Sequence, residues 1–305
     1  MSSAVATAGS GGDTPAVEKV GVVGGGIMGS GIAEVAARSG CDVLLCEVSE
    51  TAAESAAARI AKSLARAEKS GKLSAAEREA AQGRLRTVTD LAELADRDLV
   101  IEAVVEDEAE KVAIFQALGK VVAPTALLAS NTSSIPIMKL AAVTPHPERV
   151  IGMHFFNPVP VLPLVELVPS LLTAPETVAR ADAYASGRLG KHTVLSKDRA
   201  GFVVNALLIP YLLAAIRMVE SGFASAEDID TGMVDGCAHP MGPLALTDLI
   251  GLDTTMAVAQ SMYAEFKEPL YAPPPLLLRM VEAGLLGRKA GRGFFDYGGR
   301  APARG

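Results

Sequence analysis

The chain has 305 residues, half of them hydrophobic, and a formal net charge of −7. That length fits about two domains of roughly 100–200 residues each. No Lys/Arg cluster stands out against the acidic balance, which excludes non-specific nucleic-acid binding as the expected role.

Residues 1–17 are Ser/Ala/Gly-rich, with neither a basic start nor an apolar core, so they read as a disordered tail rather than a signal peptide. The run KVGVVG then reads as a strand, and Ile27 to Ser39 has helical apolar spacing. CDVLLCE reads as a second strand and Thr51 to Ser70 as a long Ala-rich helix. After a polar turn near Gly71, the strand candidates are LRTVT, DLVIEAV, ALLASN, RVIGMHF and PLVELV, with helices between several of them. Such alternation predicts an α/β fold on a parallel sheet.

Beyond Lys197 the texture is helical: Phe202 to Ser221, Ala226 to Asp235, Leu244 to Phe266 and Pro275 to Ala283. Pro210 should kink the first of these, and Ser225 with Asp228 has the spacing of a capping box. The expected division is a dinucleotide-binding domain over 18–199 and a helical domain over 200–305. Every uncharged stretch is too short, or too broken by Gly and Pro, for a membrane span of roughly 20 residues. Cys41, Cys46 and Cys237 have no metal-ligand spacing, so no metal site is expected, and the sparse, odd count fits a reducing cytoplasm.

Gly24-x-Gly26-x-x-Gly29 follows the first strand and opens the first helix, the context a dinucleotide fingerprint requires. The first glycine permits a tight turn, the second lets a pyrophosphate approach the backbone, and the third lets helix and strand pack closely. The helix start, with Ile27 and Met28, then offers N–H groups and a positive dipole end to phosphates. Glu47 stands 23 residues after Gly24, at the end of the second strand. A carboxylate there can accept both ribose hydroxyls and repels a 2′-phosphate, which favours NAD over NADP. The alternative is a structural Gly-rich turn with a solvated Glu47.

Hydride removal from a secondary alcohol needs a base, and histidine suits the task because its ordinary pKa, about 6.5, lies near neutrality. Of the four histidines, His146 lies in a Pro-flanked loop, His192 follows a Gly-Lys turn and His239 precedes a proline. His154 instead ends the apolar run RVIGMHFFNP, where a parallel-sheet active site opens. That position alone leaves both a catalytic and a packing role open.

HFFNPVPVLPLVE closely resembles the signature of the L-3-hydroxyacyl-CoA dehydrogenase family, which includes bacterial 3-hydroxybutyryl-CoA dehydrogenases. VVGGGIMGSGIA, IEAVVEDEAEK, ASNTSS, EDIDTGM, HPMGPLALTDLIGLDT and GRKAGRGFFDY match in the same order, from Lys19 to Tyr297. The resemblance implies a Rossmann-type domain followed by an all-helical domain through which two subunits pair. It implies NAD as cofactor and an acyl-CoA as substrate, with oxidation of a (3S)-3-hydroxyacyl-CoA, short-chain by analogy. It makes His154 the acid/base and Glu166 its orienting partner, with Ser133 on the substrate oxygen and Asn205 on the substrate carbonyl. Asn131 would neighbour the nicotinamide, and Glu106 and Lys111 the ribose portions of the cofactor. For Ser133 the residues alone suggest a helix cap.

Some positions depart from the family pattern. Ala200-Gly201 replaces the usual Pro-Gly, Ala206 the usual Arg, and Leu162-Pro163 a more common Met-Lys pair. These put nearby acyl-chain or CoA contacts in question. Ser63, Arg66 and Lys69 on the second helix could meet CoA phosphates, and they fit a solvated helix face as well. Related readings are a dehydrogenase for another 3-hydroxy substrate, carrier-bound or a sugar acid, and a non-enzymatic NADH-binding relative.

Overall fold

The computed structural model describes residues 16–298. The tail expected over 1–17 lies outside them except at its end, where Val17 is buried in the core rather than free. The chain runs β1 (Lys19–Val23), α1 (Ile27–Arg38), β2 (Asp42–Cys46), α2 (Glu50–Lys69), α3 (Ala75–Gly83) and β3 (Leu85–Val88). It continues through β4 (Leu99–Glu102), α4 (Glu108–Val121), β5 (Leu127–Ser130), α5 (Ile137–Ala141), β6 (Val150–Phe155) and β7 (Leu164–Pro169). Then come α6 (Pro175–Asp182), β8 (His192–Leu195), α7 (Val204–Glu220), α8 (Ala226–Cys237), α9 (Pro243–Ile250), α10 (Leu252–Phe266) and α11 (Pro275–Glu282).

The described chain forms two compact units, residues 16–131 with 140–195 and residues 132–139 with 196–298. In the first, eight strands make one sheet in the order β3-β2-β1-β4-β5-β6-β7-β8. The chain starts in the middle, moves out to β3, and returns to the other side of β1 at β4. The strand order therefore reverses between β1 and β4, and ligands of such sheets bind at the carboxyl ends beside that switch point. Buried Val, Ile and Leu of β1, β2, β4 and β5 pack against α1 and α2 in one core, as strands covered on both faces require.

Two expectations need correction. The sheet is not wholly parallel: β6 pairs antiparallel with β7, His154 standing opposite Glu166. Only residues 156–163 join these strands, and a parallel crossover needs about a dozen or more residues, so the chain has to turn back. The helix expected over Leu244–Phe266 is two helices, because Gly251 sits between α9 and α10 at φ 102°. That backbone conformation cannot continue a right-handed helix and is open mainly to glycine.

Pro210 lies inside α7 and the helix continues through it. The polar segment after Gly71 holds an element the sequence reading passed over, α3, started by a reciprocal Ser74/Glu77 capping box. The second unit is helical, with its own core around Leu213, Ile216, Leu244, Leu252 and Met262. No helix among the described residues is long and apolar enough to cross a membrane.

Candidate active site

The glycine turn is built by close approach. Gly24 has φ 93°, donates its N–H to the Cys46 carbonyl at 2.9 Å, and lies so near Ala103 that a side chain on it would strike the Ala103 carbonyl. Gly29 has no room either: a Cβ would lie 1.8 Å from the Gly24 oxygen. Gly26 differs, since a Cβ on it would meet nothing within 4 Å. Gly26 also starts α1 with no side-chain cap, so the first N–H groups of the helix lack a side-chain acceptor. An open backbone approach at a helix N-terminus fits a pyrophosphate.

Glu47, half-buried at the end of β2, accepts the Gly25 N–H at 2.5 Å on one oxygen and the Val48 N–H at 3.2 Å on the other. Each carboxylate oxygen keeps further acceptor capacity, so Glu47 both braces the turn and can receive ribose hydroxyls.

At the end of β4, Glu102 is fully buried, and the sequence reading missed it. One of its oxygens accepts Lys111 Nζ at 2.6 Å and the Val104 N–H at 2.7 Å; the other accepts the Ser130 hydroxyl at 2.6 Å. Lys111, only 1% exposed, also reaches Glu106 at 3.3 Å. A charge this deep needs a partner and further hydrogen bonds, and Glu102 has both. Lys111 is thus part of the floor beneath the turn, while Glu106 keeps an accessible face. The available signal was the one acid inside the apolar run LVIEAV.

On the same carboxyl edge, Asn131 follows β5. Its N–H is donated to the Glu102 carbonyl at 2.8 Å and its Oδ1 accepts the Phe155 N–H at 2.9 Å. His154, the neighbour of Phe155, is 6% exposed, and Glu166 is fully buried. Their side chains meet at 2.7 Å, His154 Nδ1 to Glu166 Oε2. The register of β6 and β7 makes that contact, since it places the two residues directly opposite each other. Phe156 tilts against the imidazole at 4.5 Å between ring centroids. A buried carboxylate on Nδ1 fixes the ring and stabilises its protonated form.

The β6–β7 loop forms one wall of a cleft of about 120 Å³, lined by Ile27, Gly31, Arg59, Ser63, Arg66 and Val159 among others. Ser63 and Arg66 of the sequence-derived set face it; Lys69, in the last turn of α2, is not part of its lining. Arg59, which the sequence reading passed over, reaches the Gly25 carbonyl from the same helix face. Lys191 holds the loop from behind, donating to the carbonyls of Val159 at 2.6 Å and Leu162 at 2.7 Å.

Ser133 and Asn205 belong to the second unit, Asn205 in the first turn of α7. In the Ser133 turn, Thr132 Oγ1 accepts the N–H groups of Ser134 and Ile135 at 3.2 and 2.9 Å. Thr132 thus braces the turn in which Ser133 stands. No group of histidine, cysteine, aspartate and glutamate among the described residues is placed to hold a metal ion.

A dinucleotide turn and a paired, buried histidine on one sheet edge define a class, the NAD-dependent dehydrogenases. Comparison with known proteins narrows it. Residues 19–199 match the family model "3-hydroxyacyl-CoA dehydrogenase, NAD binding domain", and residues 201–297 match "3-hydroxyacyl-CoA dehydrogenase, C-terminal domain". A 3-hydroxybutyryl-CoA dehydrogenase of Mycobacterium tuberculosis is 61% identical over 283 residues, covering 92% of this chain and 99% of that protein. The mitochondrial hydroxyacyl-coenzyme A dehydrogenase of Homo sapiens is 41% identical over 288 residues, covering 92% and 91%. The crystal structure of (S)-3-hydroxybutyryl-CoA dehydrogenase PaaH1 from Ralstonia eutropha superposes with a TM-score of 0.88 at 46% identity, covering 92% of this chain and 99% of that one. The chain belongs to the 3-hydroxyacyl-CoA dehydrogenase family.

Proposed function

We propose that the protein catalyses the reversible NAD-dependent oxidation of a (3S)-3-hydroxyacyl-CoA to the 3-ketoacyl-CoA, with 3-hydroxybutyryl-CoA as the favoured class of substrate. The observation that carries this reading is the buried His154–Glu166 pair on the carboxyl edge of the sheet. NAD, when bound over the Gly24–Gly29 turn, supplies the hydride acceptor. In oxidation His154 takes the proton of the 3-hydroxyl through the ring nitrogen away from Glu166. Glu166 stays ionised, holds the ring in that orientation and stabilises the imidazolium. In reduction the protonated ring returns the proton to the forming alkoxide. Acid–base transfer of this kind typically contributes about 10²–10⁴-fold.

Ser133 donates to the oxygen at the reacting carbon, and Asn205 steadies the thioester carbonyl. Ile27, Met28, Glu47, Glu106 and Asn131 flank the cofactor, with Lys111 acting through Glu102 and Glu106. Ser63 and Arg66 take CoA phosphates at the cleft. Exposed Leu207, Phe223, Val234 and Leu249 on the helical unit support pairing of two copies there. Three free cysteines suit a reducing cytoplasm.

The test is loss of NADH absorbance with acetoacetyl-CoA, followed by 3-ketoacyl-CoA substrates of four to sixteen carbons. Turnover that falls as the chain lengthens supports the reading. NADH binding without turnover of any acyl-CoA would contradict it.

A further inference from the structure

The turn that carries Ser133 is held from outside, and its holders converge on one face of α10. Ser261 Oγ donates to the Ser134 carbonyl at 3.0 Å, across 127 residues of chain. Asp198 accepts the N–H groups of Ile137 at 2.7 Å and Met138 at 2.8 Å, one on each carboxylate oxygen. The Asp198 segment is in turn fixed to α10. Glu265 accepts the Ala200 N–H at 2.9 Å and pairs with Arg199, whose guanidinium lies 4.8 Å over the Phe266 ring. Ser261 and Glu265 are four residues apart, so they share a helix face.

The same anchored segment leads directly into α7 and Asn205. Gly201 has φ 86° and packs against Met262 of α10, and its carbonyl accepts the Ala206 N–H at 3.0 Å. Thus the two residues read as substrate contacts, Ser133 and Asn205, are both referred to the Ser261–Glu265 face of α10.

We propose that Asp198 is a positioning residue for the reaction: backed by Ser261 and Glu265, it sets Ser133 where it meets the substrate oxygen. The proposal rests on the reading of Ser133 given above. Asp198 receives the first two N–H groups of α5 while Thr132 braces the turn ahead of it, so this cap holds the segment that begins four residues beyond Ser133. Burial pushes the Asp198 carboxyl above its usual range, against the pull of the two N–H bonds.

The experiment is a double-mutant cycle. Asp198→Asn, Ser133→Ala and the pair are assayed for kcat and KM with acetoacetyl-CoA and for NADH affinity by fluorescence. Ser133→Ala is expected to lose on the order of 10²-fold in kcat. Asp198→Asn keeps one acceptor and is expected to lose about tenfold, below the ~10²-fold that a 1 Å misplacement can cost, with NADH affinity within about twofold. The pair should be no worse than Ser133→Ala alone, within about threefold. Ser261→Ala, a milder change expected to cost about threefold, runs through the same cycle in case Asp198→Asn does not fold. Losses that multiply in the double variants, or single variants with unchanged kcat and KM, overturn the proposal while leaving Ser133 in its role. Normal turnover in Ser133→Ala overturns the reading of Ser133 itself, and the proposal with it.

Discussion

Two glycines of the fingerprint should fail in opposite ways when changed to alanine. At Gly26 the backbone φ is −60°, an ordinary value for alanine, and an added Cβ meets nothing within 4 Å. Gly26→Ala is therefore expected to fold normally, with stability changed by at most about 1 kcal/mol, since a compatible Gly→Ala change gains about 0.4–1 kcal/mol while alanine is a poorer start to a helix. The new methyl group fills the space through which a pyrophosphate would reach the N–H groups of α1. A hydrogen bond to a charged group is worth about 1.5–3 kcal/mol, and each 1.4 kcal/mol is tenfold in affinity. Losing the geometry of one such bond should weaken NADH binding by about 10- to 100-fold. Gly29→Ala places its Cβ 1.8 Å from the Gly24 oxygen, so helix and strand must separate, and overpacking of this kind costs about 1–3 kcal/mol or more. NADH fluorescence titration and thermal unfolding of both variants distinguish the two outcomes. The reasoning is refuted if Gly26→Ala binds NADH within twofold of the parent, or if Gly29→Ala unfolds at the parent's temperature.

Other expectations follow from the site. Glu166→Gln keeps a carbonyl acceptor 2.7 Å from the ring but removes the charge that stabilises the imidazolium; kcat should fall by about 10²- to 10⁴-fold, and a kcat close to the parent's would remove Glu166 from the mechanism. Arg66→Ala should raise KM for acetoacetyl-CoA by about two- to fivefold, the worth of an exposed ion pair, and lower kcat less; Lys69→Ala, outside the cleft lining, should do neither. Thiol titration of the native protein at pH 8 should show one fast-reacting cysteine, the exposed Cys237. Cys46 is withheld because burial, then the charges of Asp90, Glu47 and Glu93, push its thiol up to about 11, leaving little thiolate to react. A fast phase that survives Cys237→Ser would contradict this.

The strands at the centre of the sheet were legible because each is a short apolar run ending in glycine or a polar residue, and β1, β2, β4, β5 and β6 lie where those runs fall. The reversal from β6 to β7 was not drawn from the pattern, although the eight residues between the strands contain the reason for it. That reversal matters most, since the local pattern leaves Glu166 an acid in an apolar run; the family resemblance pairs it with His154, and the register sets the two opposite each other. The floor beneath the glycine turn was hidden for a different cause. Lys111 and Ser130 lie 9 and 28 residues from Glu102 in the chain, and nothing local says that a buried charge has found its partner. Lys111 therefore read as a cofactor contact, whereas its ammonium group is enclosed by Glu102, Glu106 and the Val104 carbonyl. The grouping of Ser133 with the helical unit, two residues beyond Asn131 of the other, depends on Asp198 and Ser261 and was likewise beyond local pattern.

The central claim is that His154 moves the proton at the hydroxyl-bearing carbon of an acyl-CoA. The most direct measurement is the steady-state rate of acetoacetyl-CoA reduction by the parent and by His154→Gln, with NADH affinity measured on both. The account predicts turnover by the parent, a loss of about 10²- to 10⁴-fold in the variant, and NADH affinities within about twofold of each other. Near-parent turnover by His154→Gln would contradict it.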